Sequence, residues 1–292
     1  MFKEVKTSES RALETLNSIL LGKPREVEIA FATFLARGSL LIEDRPGFGK
    51  TTLAKGLASV LDLTFSRIQC TNDLLPMDIL GRLSFSKDAS PEFLQGPIFA
   101  QMVLLDELNR APARTQSAFL QAMEEGEVTI EGITQRLPSP QMFIATQNPS
   151  DHIGTTVLPE SELDRFTTSI SIGAPDPATE KKILLQESRR KEALPPVLDP
   201  KECELLQTKV DQIFVSETLL DLVVRFLGHA RGRNAFLSPR AGRDLIRMSR
   251  ALAFLKGRDH VLPDDFQTVL LPVISHRVDQ PDELARSFTF LA

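Results

Sequence analysis

The sequence predicts an α/β fold, in which a parallel sheet flanked by helices is followed by a smaller all-helical region. Short apolar runs recur in the first part of the chain without strict alternation, which is typical of strands buried on both faces. Helical patterns separate these runs, and a chain that alternates strands with helices forms a parallel sheet. After Gly173 the pattern is helical with hardly any strand signal. We therefore expect residues 1–173 to form the α/β domain and residues 174–292 to form the helical domain.

The individual elements follow from the same patterns. Strands are predicted at residues 39–42, 64–68, 102–105, 141–145 and 169–172. Helices between them are predicted at residues 54–61 and 116–125. Beyond the last strand, three short polar side chains are expected to cap helix N-termini, namely Asp176, Ser216 and Ser238. Two prolines at 195 and 196 predict a break, and Gly257 predicts a helix end.

Composition and charge narrow the classes of protein. The chain has 292 residues, 42% of them hydrophobic, which suits a folded core in about two domains. Lys and Arg number 34 against 39 Asp and Glu, and this net charge of −5 disfavours binding to a nucleic-acid backbone. No stretch reaches about 18 consecutive apolar residues, so we expect no membrane insertion. Cys70 and Cys203 lack disulfide or zinc spacing, which favours a reducing compartment and predicts a cytoplasmic protein.

The strongest local signal is a strand that runs into a glycine-rich turn and then into a helix, over residues 40–52. Glycines in such a turn let backbone N–H groups converge on phosphate oxygens at a helix N-terminus. The Lys50 ammonium would reach the terminal phosphates, and the Thr51 hydroxyl would bind Mg²⁺. The residues predicted to contact ATP are consecutive: Pro46, Gly47, Phe48, Gly49, Lys50, Thr51 and Thr52.

One position departs from the strict phosphate-loop pattern. Glycine is expected five residues before Gly49, where this chain has Asp44. Asp44 leaves open a distorted or weakened phosphate loop, and a plain strand–turn–helix junction without a nucleotide is the further alternative. The sequence Gly-Lys-Thr-Thr directly after Pro-Gly-Phe favours the phosphate loop.

Two acids end the apolar run that begins at residue 102. Desolvating unpaired carboxylates at the end of a buried strand is costly, so their presence needs a reason. In a phosphate-loop protein, Asp106 would hold Mg²⁺ and Glu107 would orient and deprotonate the attacking water. The alternative is a solvated strand end whose acids start the next helix. The phosphate loop earlier in the chain favours the catalytic interpretation.

The next buried run ends in amides at Gln147 and Asn148. An amide at this strand end would reach the γ-phosphate or the attacking water, which makes Asn148 a candidate sensor of bound ATP. Taken alone, Asn148 followed by proline fits a turn equally well.

Six short motifs in a fixed order resemble the MoxR family of AAA+ ATPases. They lie at residues 49–52, 105–112, 145–149, 158–160, 163–166 and 238–241. The resemblance extends over roughly residues 15–280, and an ordered set is far more specific than any single motif. It implies an AAA+ phosphate-loop domain followed by a helical lid, and this family accepts Asp or Gly at the position of Asp44. It also implies an insertion at residues 73–98 between the second and third strands, and a hairpin within residues 127–138.

The resemblance assigns roles to two arginines. Arg165 matches the arginine finger, which reaches the nucleotide of a neighbouring subunit. Arg240 matches the second sensor, which contacts the γ-phosphate from the lid. A guanidinium fork binds phosphate oxygens in a bidentate manner and stabilises transition-state charge. Without the resemblance, Arg165 would be a surface arginine and Arg240 an ordinary first-turn residue after a Ser-Pro cap.

Together these expectations point to a Mg²⁺-dependent ATPase that acts as a ring, of six subunits by resemblance, and remodels or matures a protein client. ATP is expected between the two domains, with the lid closing through Arg240. MoxR-like proteins commonly act as chaperones with a partner that carries a von Willebrand factor A domain, often in metal cofactor insertion. Three alternatives stay open: a nucleic-acid-linked AAA+ motor, a magnesium-chelatase ATPase subunit, and a scaffold that binds ATP without turnover. The acidic net charge disfavours the first and Glu107 disfavours the third.

Overall fold

A five-stranded parallel sheet is the centre of the first part of the chain. The computed structural model describes residues 7–84, 92–148, 158–185 and 195–289. Its strands are β1 (Leu40–Glu43), β2 (Phe65–Gln69), β3 (Gly81–Ser84), β4 (Glu92–Gln95), β5 (Met102–Asp106), β6 (Glu127–Ile130), β7 (Ile133–Arg136), β8 (Met142–Gln147) and β9 (Thr168–Ile170). Five of them form the sheet in the order β2-β5-β8-β1-β9, and every neighbouring pair is parallel.

Helices cover the sheet and make up the rest of the described chain. They are α1 (Ser8–Ile19), α2 (Pro24–Leu35), α3 (Lys50–Val60), α4 (Pro76–Leu80), α5 (Ala113–Glu125), α6 (Glu160–Leu163), α7 (Pro177–Leu185), α8 (Pro200–Asp211), α9 (Glu217–Gly232), α10 (Pro239–Leu255), α11 (Pro263–Ile274) and α12 (Pro281–Ser287). Among the described residues after β9, no further strand is formed apart from one isolated bridge between Phe214 and His260.

Strands β1, β5, β8 and β9 are buried on both faces, as the apolar runs predicted, whereas the edge strand β2 is mostly half-buried or exposed. In β1, Leu40 and Ile42 belong to one apolar cluster and Leu41 to another, because successive side chains of a strand point to opposite faces. The first cluster also contains side chains of α1, α2, α3 and the helices from α8 onward, and the second contains side chains of α5. Helices on both faces are what a parallel sheet requires.

Two hairpins lie outside the sheet. β6 pairs with β7 through a turn at Glu131 and Gly132, whose φ angles are 49° and 83°. Two consecutive positive φ angles are typical of a two-residue hairpin turn, and the predicted hairpin is confirmed. β3 pairs with β4 between β2 and β5, within the expected insertion, whose residues 85–91 lie outside the described residues. A Cβ at Gly81 would lie 2.3 Å from the carbonyl oxygen of Leu94, so this pairing requires glycine.

The predicted fold class is confirmed. Each predicted sheet strand is present with ends shifted by at most two residues. Asp176 accepts hydrogen bonds from the backbone N–H of Ala178 and Thr179, and Ser216 and Ser238 cap α9 and α10 in the same way. α1 and α2 were not predicted. The division of the chain at residue 173 stays a prediction.

The described helices vary in length from four residues in α6 to 17 in α10. None of them is long and apolar enough to cross a membrane.

Candidate nucleotide-binding site

A cleft of about 580 Å³ opens at the carboxyl ends of the sheet strands, and we name it the phosphate-loop cleft. The predicted phosphate loop and both predicted Mg²⁺ ligands line it: Pro46, Gly47, Phe48, Gly49, Lys50, Thr51, Thr52 and Asp106. Glu107 and Asn148 line it as well. Apolar side chains of Leu20, Ile172 and Ile183 contribute to the same cleft. Ligands of open parallel sheets bind at this edge, so the predicted cluster of nucleotide residues is brought together by the topology.

The glycine-rich turn has the backbone that its sequence predicted. Gly47 and Gly49 have φ angles of 92° and 90°, a conformation that favours glycine. Gly49 is also the N-cap of α3, whose first residue is Lys50. A Cβ at Gly49 would lie 2.8 Å from the Leu20 side chain, so the backbone also comes close to its surroundings here. The N–H groups of the first turn of α3 therefore lie at the cleft, where a helix N-terminus favours anions.

Lys50 is buried at the floor of the cleft. Its Nζ donates a hydrogen bond to the backbone carbonyl oxygen of Asp44. Burial lowers the pKa of Lys50, and the nearby carboxylates of Asp44, Asp106 and Glu107 oppose that shift. The three acids thus favour the charged ammonium, which is the form that binds phosphate.

Asp44 connects the phosphate loop to the segment after β9. Its Oδ2 accepts hydrogen bonds from the backbone N–H of Ile172 at 2.5 Å and of Gly173 at 2.8 Å. The Ser171 hydroxyl donates to the same oxygen at 3.3 Å. Ile172 and Gly173 line the cleft, so the residue that replaces the first glycine joins two walls of the site.

Asp106 is held from two sides at the end of β5. Its Oδ1 accepts a hydrogen bond from the Thr146 hydroxyl at 2.7 Å. Its Oδ2 accepts from the Arg67 guanidinium, at 3.2 Å from Nε and 2.6 Å from the terminal nitrogen. A carboxylate and the Thr51 hydroxyl on one cleft form an oxygen donor set, and Mg²⁺ prefers oxygen ligands, so these residues fit the ion.

Glu107 directly follows β5 in a left-handed backbone conformation, with φ 59° and ψ 51°. Its backbone N–H donates to the Thr146 hydroxyl oxygen at 2.9 Å. Its Oε2 accepts from Gln69 Nε2 at 3.1 Å and from Arg110 at 2.9 Å. A non-glycine residue at positive φ is uncommon, and such strain concentrates at functional sites.

Three residues of the site were missed by sequence reasoning: Arg67, Gln69 and Thr146. Thr146 contacts both acids with one hydroxyl, as donor to Asp106 and acceptor from Glu107. Arg67 and Gln69 alternate along β2, which lies beside β5 in the sheet. The available signal was this alternation of polar residues at the end of a predicted strand.

Asn148 lies at the end of β8 and is buried in the wall of the cleft. This is the position that a sensor of the γ-phosphate requires. The turn interpretation of the same motif depends on residue 149, which lies outside the described residues.

Arg165 and Arg240 lie in a different cleft. This cleft, of about 390 Å³, is lined by Arg37, Arg165, Arg240, Arg243 and Arg247 together with Glu124, and we name it the arginine cleft. Arg165 Nε lies 3.3 Å from one carboxylate oxygen of Glu124, and Arg240 contacts the other. Arg240 also lies 3.6 Å from Asp164.

Arg240 therefore lies away from the phosphate-loop cleft of its own chain in this structure, and the closing of the lid on ATP through Arg240 stays a prediction. Among the described residues, those lining the phosphate-loop cleft include neither Arg240 nor Arg165. The physical reason is the packing of α10. The hydroxyl of its N-cap, Ser238, donates to the carboxylate of Asp164, the residue before Arg165, and lies 2.8 and 3.0 Å from the two carboxylate oxygens.

Comparisons with known proteins agree with this architecture. Residues 39–168 match the model of the ATPase family associated with various cellular activities (AAA), and residues 234–288 match an AAA lid domain. A solved structure of a candidate ATPase from Cytophaga hutchinsonii superposes with a TM-score of 0.86 at 27% identity, over 97% of this chain and 94% of that one.

Similar curated proteins identify the family within the AAA ATPases. Chaperone MoxR1 of Mycobacterium tuberculosis is 38% identical over 94% of this chain and 76% of its own length. The uncharacterized protein YeaC of Bacillus subtilis is 38% identical over 92% of this chain and 86% of its own length. Protein MoxR of Paracoccus denitrificans is 28% identical over 90% of this chain and 86% of its own length. The chain therefore belongs to the MoxR family of AAA+ ATPases.

Proposed function

We propose that this chain is a Mg²⁺-dependent ATPase whose active sites are shared between neighbouring subunits of a ring. The observation that supports this most directly is the separation of the two clefts. Lys50, Asp106 and Glu107 line one cleft, whereas Arg165 and Arg240 meet in the other. A head-to-tail contact that repeats around a ring places one cleft of each subunit against the other cleft of the next.

The phosphate-loop cleft binds and orients the triphosphate. Backbone N–H groups of the glycine-rich turn and the Lys50 ammonium bind its oxygens. Thr51 and Asp106 would hold Mg²⁺, which supplies charge neutralisation at the β- and γ-phosphates. The apolar side chains of Leu20 and Ile172 suit the nucleoside end.

Glu107 acts as the general base. It takes a proton from the water that attacks the γ-phosphate, and Asn148 orients that water or the phosphate. Gln69 and Arg110 bind the Glu107 carboxylate, so they set the direction from which it meets the water.

Arg165 and Arg240 act on the nucleotide of the adjacent subunit. Two guanidinium groups converge on Glu124, so their charge is directed to one point. An anion of higher charge, such as a γ-phosphate, would compete with Glu124 for both of them. Their contribution is to stabilise charge that develops in the transition state.

The test is steady-state ATP hydrolysis against protein concentration, comparing the natural chain with Glu107→Gln and Arg165→Ala. Specific activity is expected to rise with concentration, and both variants are expected to abolish it. Flat activity together with a silent Arg165→Ala would contradict the shared site. The chain has no Trp or Tyr, so its concentration is set by amino-acid analysis.

The hydrolysis cycle is proposed to remodel a protein client, in a ring of six cytoplasmic subunits as the family resemblance implies. The Mycobacterium tuberculosis relative is named a chaperone. A client or partner with a von Willebrand factor A domain, and a role in metal cofactor insertion, belong to the same proposal. ATP-dependent retention of such a domain by Glu107→Gln, compared with Lys50→Ala, tests it. ATP-dependent binding of DNA in a gel shift would instead favour the nucleic-acid motor.

A further inference from the structure

Arg277, just after α11, is an almost fully buried cation in the helical part of the chain. Its side chain is 2% exposed. Burial of a guanidinium is costly unless its donors are bonded, and here each nitrogen has an acceptor. Apart from the Val273 carbonyl oxygen on α11, the partners form two groups: the backbone around Arg165, and two carboxylates that lie on α10 or contact it.

The first group is the backbone on both sides of Arg165. One terminal nitrogen of Arg277 donates to the carbonyl oxygens of Asp164 at 3.1 Å and Phe166 at 2.7 Å. The other donates to the carbonyl oxygen of Thr167 at 3.3 Å. The neighbouring His276 donates through Nε2 to the Phe166 carbonyl oxygen at 2.9 Å. The backbone on both sides of Arg165 is therefore fixed by hydrogen bonds from His276 and Arg277, the two residues that follow the C-cap of α11.

The second group consists of two carboxylates that connect Arg277 to α10, the helix that carries Arg240. Arg277 donates to the carboxylate of Asp244 on α10 at 2.7 Å. Its Nε donates to the Asp164 carboxylate at 2.9 Å. That carboxylate also accepts from the Ser238 hydroxyl and lies 3.6 Å from Arg240. One guanidinium thus touches both segments that carry the arginines of the arginine cleft.

We propose that Arg277 is a positioning residue that fixes Arg165 and Arg240 relative to each other, so that both reach one nucleotide on the adjacent subunit. The inference rests on the proposed function, in which these arginines act between subunits. Small displacements of positioned groups reduce rates strongly, so a loosened Arg277 should act through turnover and not through ATP affinity.

Arg277→Lys is the variant to test. Lysine keeps the charge, but its single ammonium lacks the planar fork that bonds several acceptors at once. We expect kcat to fall roughly tenfold to 100-fold, as for other misplaced catalytic groups. Binding of a fluorescent ATP analogue at the variant's own phosphate-loop cleft should stay within about twofold, since no contact there changes. Arg286→Lys, whose side chain is 83% exposed on α12, is the matched control and should keep full activity.

Mixed rings separate positioning from a general structural role. Lys50→Ala subunits lack their own site but present an intact arginine cleft. Mixing them with Arg277→Lys subunits should restore turnover at Arg277→Lys sites that have a Lys50→Ala neighbour. Arg165→Ala mixed with Lys50→Ala is the benchmark for shared sites.

Each outcome decides one point. Restoration of both mixtures supports the proposal. Restoration of the Arg165→Ala mixture alone overturns the role of Arg277 and leaves the proposed function standing. Failure of both mixtures contradicts the shared site and with it the proposal. If Arg277→Lys does not fold, Asp164→Asn weakens the same ion pair from its partly exposed partner, Asp164. Asp164→Asn then replaces Arg277→Lys in the mixtures, and the same outcomes support or overturn the proposal.

Discussion

The phosphate-loop cleft and the arginine cleft are built in opposite ways. The first is formed by residues at the carboxyl ends of parallel strands and in the short segments after them, so each side chain is close in sequence to the strand that places it. The second is assembled from the segment after α6, the first turn of α10 and Glu124 on α5, and Arg277 at the end of α11 holds two of these parts together. Binding chemistry is thus local, whereas the proposed contribution to the neighbour depends on long-range packing.

The largest expected effect is the loss of turnover in Arg240→Ala, a variant of the arginine cleft. Unlike a variant of the phosphate-loop cleft, it should keep its affinity for ATP. Arg240→Ala should lower kcat by about 10³-fold, as loss of an arginine that stabilises the transferring phosphate does. ATP affinity of the dilute chain should not change, because Arg240 does not line its own phosphate-loop cleft. Lys50→Ala should instead abolish ATP binding. Steady-state kinetics measures kcat and equilibrium binding measures the affinity for ATP. Arg231→Ala, on the exposed part of α9, is the control. Weakened binding by dilute Arg240→Ala would contradict the separation.

A smaller effect is expected within the phosphate-loop cleft. Thr146→Val removes the hydroxyl that bonds both acids and leaves the buried N–H of Glu107 without its partner. Both acids lose a contact that orients them, and misplaced catalytic groups reduce turnover strongly, so kcat should fall roughly tenfold to 100-fold. Thr146→Ser keeps the hydroxyl and should recover most of the activity. Equal activity in the Val and Ser variants would show that the hydroxyl does not position the acids.

The local character of the first cleft explains how much the sequence could reveal. That Lys50, Asp106 and Glu107 line one cleft was predictable, because the glycine-rich turn and the two acids come where apolar runs end, and these ends are visible in the sequence. Thr146 was not, because its role depends on the register that brings β8 beside β5. The place of Arg240 beside Glu124 was not predictable, because the direction in which α10 packs depends on contacts with Asp164 and Arg277, far away in sequence.

Asp44 offers a test of the connection between the phosphate loop and the segment after β9. Asp44→Gly restores the strict loop pattern but removes the acceptor for the N–H groups of Ile172 and Gly173. Hydrogen bonds to a charged group contribute about 1.5–3 kcal/mol each, and solvent replaces part of this at a cleft wall. We expect a loss of about 2 kcal/mol in the free energy of unfolding, measured with urea. Asp62→Gly, at an exposed positive φ of 50°, is a control that should lose no stability.

The smallest effect concerns pH and the connection around Arg165. Burial, followed by the Arg277 charge, lowers the pKa of His276 to about 3. Its Nδ1 is buried and has no hydrogen-bond partner among the described residues, so a proton there would be unsatisfied. The folded pKa lies below the unfolded value, so the stabilisation is complete above pH 6.5 and is lost as the pH falls toward 3.

His276→Gln keeps a donor for the Phe166 carbonyl oxygen and does not titrate. Between pH 7 and pH 5 the natural chain should therefore lose about 2 kcal/mol more unfolding free energy than the variant. Asp244, whose pKa burial raises to about 6, changes stability in the opposite direction but is present in both chains. Parallel pH profiles of the two chains would show that His276 does not carry this dependence.

The central claim, that one ATPase site is completed by two subunits, is tested most directly by mixing Lys50→Ala with Arg165→Ala. Each variant alone is expected to be inactive. In a one-to-one mixture of head-to-tail rings, about a quarter of all sites would combine an intact phosphate-loop cleft with an intact neighbouring arginine cleft. The account predicts that the mixture regains about that fraction of the natural activity. An inactive mixture, from variants shown to assemble together, would contradict it.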